Sequence, residues 1–91
     1  MPVDPYADAL TAIVNDAVEL IRTTRQQRGL THYAMAKAAH ISRQTPANVE
    51  AGPKDPGLMM LVRFWWALDI PAAELARLME HHRPGPPRLA N

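Results

Sequence analysis

Within two helical turns, the stretch after Ser42 carries Arg43, Gln44, Thr45 and Asn48 with no acidic side chain among them. An arginine fork can bond bidentately to a guanine edge, and glutamine or asparagine to an adenine edge. Thr45 can meet a thymine methyl or a phosphate oxygen. On one helix, 44 and 48 share a face and 43 lies at the start. Arg28, Thr31, His32, Lys37, Ser42 and Lys54 lie on either side. Their cationic heads, hydroxyls and helix-start amides are the groups that grip phosphate oxygens.

Other chemistries fit poorly. There is no cysteine, hence no disulfide and no thiolate metal site. His32 and His40 are separated by a turn and His81 and His82 are adjacent, so no helical metal-ligand spacing arises, and no metal or other cofactor is expected. Ser42 is the one serine, and no glycine-rich phosphate loop exists. Catalysis is not expected.

The net charge of +1 is low for a partner of nucleic acid, but its distribution is uneven. Residues 22–63 hold Arg22, Arg25, Arg28, Lys37, Arg43, Lys54 and Arg63 against only Glu50 and Asp55. Acidic residues gather in the flanks. A basic centre between acidic ends suits one anion-binding face. Ninety-one residues at 47% hydrophobic content are enough for one core. The start lacks a basic signal-like segment, and the apolar run Leu58 to Leu68 is too short to span a bilayer. A soluble cytoplasmic protein is expected, with no membrane partner.

Helical spacing dominates the rest. Leu10, Ile13, Val14, Ala17, Val18 and Ile21 recur at three- and four-residue steps, predicting an amphipathic helix from Tyr6 to Arg28, capped by Asp4 and closed by Gly29. Thr31 suits the N-cap of a helix over 32–39 that turns Ala34, Met35 and Ala38 inward. His40 then takes a turn position where a positive φ is needed. A second short helix runs to Glu50, before Gly52. Leu58 to Leu68 forms a fourth helix burying Leu58, Leu61, Val62, Trp65 and Leu68; Ala72 to His81 forms a fifth burying Leu75, Leu78 and Met79.

In order along the chain, Arg25, Gly29-Leu30-Thr31, Ala36, Ala39, Ile41-Ser42, Glu50 with Gly52, Pro56 before Leu58, and Ala67-Leu68-x-Ile70-Pro71 resemble the lambda-repressor-like (Cro/C1, XRE-type) helix-turn-helix DNA-binding proteins. The resemblance covers about Val18 to Met79. It implies an all-α, compact five-helix domain, here with an extended N-terminal first helix. It also implies a scaffold ion pair between Arg25 and Glu50, major-groove reading by the segment 42–50, a phosphate grip by Lys54, and a homodimer on a palindromic site in double-stranded DNA. The division expected is 1–17 as an extension continuing into helix one, 18–82 as the DNA-binding domain, and 83–91 as a flexible proline-rich tail.

Several residues depart from the family pattern. A glutamine that commonly opens the first motif helix is His32, whose phosphate contact would strengthen on protonation and raise DNA affinity at mildly acid pH. Trp65 replaces what is usually a small residue. Pro46 stands where a packing aliphatic residue belongs. If Ser42 caps the second helix, Pro46 is its fourth residue and crowds the Ser42 carbonyl. If Thr45 caps it, Pro46 is a favourable first residue, and Arg43 and Gln44 fall on a connector. The second reading fits proline better.

Leu10 and Ile13 on the extension, with Met59 and Trp66 on helix four, are candidate dimer-interface residues, because an apolar stripe must be covered and exposed Trp and Met mark interfaces. The function expected is a sequence-specific transcriptional regulator with no room for a sensor domain. The alternative is a protein-interaction module, antitoxin-like or regulator-binding, that contacts its partner through helix one or Trp66.

Overall fold

A computed structural model of the chain describes residues 4–52 and 55–86. The described residues form five helices and no strand: α1 (Ala7–Gln27), α2 (His32–Ala39), α3 (Thr45–Ala51), α4 (Leu58–Ala67) and α5 (Ala72–His81). The protein is all-α, and α1 is its longest element. At about 1.5 Å per residue its 21 residues extend about 31 Å. α2 packs on α3 and α4, while α1 backs α3, α4 and α5.

One core joins all five helices. Ala17 and Ile21 of α1 meet Met35 and Ala39 of α2, Val49 of α3, and Leu61, Phe64 and Trp65 of α4. Leu68, Ile70 and Leu78 close it from the α5 side. The inward faces differ in detail from those the spacing predicts. α2 buries Ala36 and Ala39, whereas Ala38 is exposed, so its inward stripe is rotated by about one residue. α4 turns Leu58 outward and buries Phe64 completely. Phe64 and Trp65 are adjacent and both buried, because α4 lies between two helices and needs two inward edges. Trp65 keeps a partner for its indole: Nε1 donates to the Pro71 carbonyl at 3.1 Å, tying α4 to the start of α5. Met79 is 54% exposed, since α5 covers the core mainly through Leu75 and Leu78.

Helix ends follow local chemistry. Asp4 accepts from the Tyr6 amide rather than capping α1 directly, so the helix starts one residue later than the spacing predicts. Thr31 caps α2 as expected, its hydroxyl accepting from the Ala34 amide at 3.0 Å. Three helices stop in the same way, with a left-handed residue just past the end and a backbone bond reaching back over the last turn. Gly29 (φ 66°), His40 (φ 56°) and Asp69 (φ 52°) are those residues. The bonds run from Leu30, Ile41 and Ile70 to the carbonyls of Arg25, Ala36 and Trp65. Glycine takes such a φ freely; histidine and aspartate do so at a cost.

Lys54 and the final residues of the proposed tail, 87–91, lie outside the described residues, as do 1–3 of the proposed extension. The described part of the tail, Arg83 to Pro86, is not helical, and Arg83 is ion-paired to Glu80. His82, at the end of α5, reaches back to α1, its Nε2 lying 2.6 Å from Asp16 Oδ2.

Candidate nucleic-acid interface

The segment 42–50 is anchored from below by Glu50. Its side chain is 7% exposed and accepts from Arg25 Nε at 2.7 Å and Nη2 at 2.9 Å, a two-pronged bond between α1 and α3. Arg25 Nη1 also donates to the Leu30 carbonyl at 2.8 Å, so one guanidinium joins α1, α3 and the start of the motif. Arg22 adds a bond from Nη2 to the Glu50 carbonyl at 2.6 Å. Burial pushes the Glu50 carboxyl up, but the hydrogen bonds and charge of Arg25, with His32 close by, outweigh it and hold it below the usual carboxylate range. The same contact raises the Arg25 guanidinium further above its ordinary value, against the opposing effect of its own burial.

His32 joins this cluster from α2. Its Nε2 is shut off from solvent 3.2 Å from Glu50 Oε1, close enough for an ion pair but out of hydrogen-bonding alignment. That nitrogen faces the scaffold, and the side chain as a whole is 40% exposed.

The opening of α3 differs from both sequence readings. Thr45 is already helical, Pro46 is the second residue of the helix, and Gln44 is the cap residue, with no side-chain cap bond. Ser42 and Thr45 are instead linked through their backbones, the Thr45 amide donating to the Ser42 carbonyl at 3.0 Å. The turn between the motif helices therefore runs from His40 to Gln44. Proline is tolerated so early because the amide it lacks would have had no intrahelical partner. Pro46 is also fully buried, and it fills the place of the missing aliphatic residue itself.

With Pro46, Val49 and Glu50 facing inward, Gln44 and Asn48 stand outward, one turn apart and exposed. Thr45 is half-buried between the two faces. Arg43 projects from the turn over the ring of Tyr33, its guanidinium carbon 5.3 Å from the ring centre. Arg28, Thr31, Lys37 and Ser42 are exposed. Tyr33 and Lys37 fall on one stripe of α2, a helical turn apart.

The family profile described as helix-turn-helix domain matches residues 16–78. The chain belongs to the helix-turn-helix domain family. No curated protein and no solved structure matches it. In this helix-turn-helix domain the motif itself is α2, the His40–Gln44 turn and α3. The match begins at Asp16, within α1.

Two apolar grooves lie against α4. One, of about 610 Å³, lies between the N-terminal half of α1 and α5, with Leu10, Ile13, Leu58 and Met79 among its walls. The other, of about 560 Å³, has Met59, Val62 and Trp66 along α4 and His40 at its end. Leu58 belongs to both. Leu10, Met59 and Trp66 are well exposed and Ile13 half-buried, so the own-chain contact with α5 covers only part of the α1 stripe. Among the described residues no helix is long and apolar enough to cross a membrane, and no group of acidic and histidine side chains is placed to hold a metal.

Sequence reasoning missed Arg22 and Tyr33. Arg22 falls one helical turn ahead of Arg25, the spacing at which two cations can reach one carboxylate. Tyr33 gave a signal too: an aromatic residue on the solvent side of α2, just outside its inward stripe.

Proposed function

We propose that this helix-turn-helix protein is a sequence-specific DNA-binding transcriptional regulator that reads the major groove with the segment 42–50, as a homodimer on a palindromic site. The observation that carries it is the division of α3: Glu50, Val49 and Pro46 hold one side to the body, while Gln44 and Asn48 face outward as purine-reading amides beside Arg43. Family membership supports DNA as the ligand.

In this reading Arg43, Gln44, Thr45 and Asn48 contact bases. Arg28, Thr31, His32, Lys37, Ser42 and Lys54 contact phosphates, which sets register on the duplex. Residues 18–82 are the binding unit, 1–17 is an N-terminal extension that continues into its first helix, and 83–91 is an appendage. Leu10, Ile13, Met59 and Trp66 supply the surface between subunits. The protein acts in the cytoplasm and has no catalytic role.

Selection from a randomised duplex pool tests this directly. Enrichment of a palindrome with purine contacts in each half-site is the expected result. A pool that stays random, with no salt-dependent retention on heparin, removes the proposal.

The exposure of Trp66 and Met59, 78% each, favours a second reading, a protein-interaction module on the same fold. Such a protein would leave the pool random and would bind a protein partner through helix one or Trp66.

A further inference from the structure

Among the described arginines, Arg22, Arg25, Arg77 and Arg83 are each bonded to a carboxylate, Arg63 donates to the Ala39 carbonyl at 3.1 Å, and the exposed Arg28 makes no side-chain hydrogen bond or ion pair with a described residue. Arg43 is held in a different way. It has no hydrogen-bond or ion-pair partner among the described residues, and its guanidinium lies over the ring of Tyr33 at 5.3 Å. Tyr33 is 56% exposed on α2, and Arg43 sits in the turn before α3. A carboxylate partner would occupy the in-plane N–H groups of the guanidinium. An aromatic face engages the π-surface and leaves those donors free. They are the donors that a guanine O6 and N7 require.

From this we infer that Tyr33 is a positioning residue that presents the Arg43 guanidinium for bidentate contact with a guanine, and so sets specificity at one base pair of each half-site. The inference rests on the DNA-reading proposal above. A long side chain on a turn would otherwise lose much rotamer freedom on binding; the ring removes part of that loss beforehand. Tyr33 itself makes no base contact. Lys37, one turn further along α2, lies on the same stripe and can grip the adjacent phosphate.

The test is selection from a randomised duplex pool with the wild-type chain and with Tyr33→Phe, Tyr33→Leu and Arg43→Ala. Tyr33 lies outside the core, so none of these changes removes a buried contact. Phenylalanine keeps the aromatic face, whereas leucine keeps bulk without it. The expected result is a guanine position whose discrimination disappears in Arg43→Ala, falls about two- to five-fold in Tyr33→Leu, and persists in Tyr33→Phe. Loss of that guanine in Arg43→Ala with full retention in Tyr33→Leu overturns the role of Tyr33 and leaves the DNA reading standing. A uniform loss across all sequences in Tyr33→Leu also overturns it, since positioning acts at one base pair. If the wild-type chain enriches nothing, or Arg43→Ala enriches the same motif as wild type, the DNA role assigned to Arg43 falls and this inference with it.

Discussion

Arg25 and Glu50 are 25 positions apart in sequence and share a two-pronged hydrogen bond, Nε to Oε2 at 2.7 Å and Nη2 to Oε1 at 2.9 Å. Both side chains are largely withdrawn from solvent, at 13% and 7% exposure. Removing either one leaves the other charged and poorly solvated. Glu50→Ala and Arg25→Ala should each lower the unfolding free energy by about 3 to 5 kcal/mol. The double variant should cost less than the two added together. Urea denaturation checks this, and additive losses would show that the pair is not coupled.

The depressed Glu50 carboxyl gives stability a definite pH sense. Its folded value lies below its ordinary 4.5, so its contribution is complete above that value and is lost as pH falls through the folded one. Thermal melts of wild type and Glu50→Gln should differ most near neutrality and converge well below pH 4.5. A constant difference across that range would show that the carboxylate charge is not the stabilising element.

Two of the three left-handed helix ends are not glycine, which makes them sites of available stability. Asp69 bears a negative charge at the C-terminal end of α4, where the helix dipole disfavours it. Asp69→Asn should raise stability by about 0.5 kcal/mol, or about 2 to 4 °C in Tm. Gly29→Ala should cost about 1 kcal/mol although nothing lies within 4 Å of the added methyl, because the cost is in the backbone. Differential scanning calorimetry of the two variants reads both signs.

On DNA, phosphate and base contacts should separate. Lys37→Ala should weaken binding by a similar factor on every sequence and reduce the slope of log K against log salt by about 1. Asn48→Ala and Gln44→Ala should each relax preference at one base pair, at a cost of about 1 to 3 kcal/mol on the preferred sequence. Titrations over a salt series with preferred and scrambled duplexes distinguish the two behaviours. Equal losses on both duplexes for Asn48→Ala would place it on the backbone.

Subunit association should depend on the grooves that meet at Leu58. Leu10→Glu or Trp66→Glu should convert a dimer to a monomer at micromolar concentration without lowering the monomer's own stability, since both side chains already face solvent. Sedimentation equilibrium reads the result, and a monomeric wild-type chain would end the dimer proposal.

The helices were legible wherever local signals agreed. α2 begins at Thr31 and ends at a left-handed His40 because a threonine cap and a turn-tolerant residue bracket an alanine-rich segment. Arg25 and Glu50 were legible only through family resemblance, since no local rule pairs residues 25 apart. The start of α3 was not legible: proline favours the first turn, but the difference between its first and second positions is settled by Pro46 packing into the core. Periodicity also failed at Phe64, because a helix packed on two sides does not confine its apolar residues to one stripe. Tyr33 over Arg43 joins two elements through a turn, a contact that spacing along a single helix does not reveal.

α3 has one face that anchors and another that anchors nothing. Its buried side carries Pro46, Val49 and Glu50, while Ala47, Asn48 and Ala51, with Gln44 at the cap before it, lie in solvent. Substitutions on the outer face therefore cost almost no folding free energy, so the set of sequences compatible with this fold is wide where recognition is proposed to reside and narrow beneath it. A lineage carrying this domain can drift to new targets by changing a few outward side chains, and a library varied at 43, 44 and 48 should remain folded throughout.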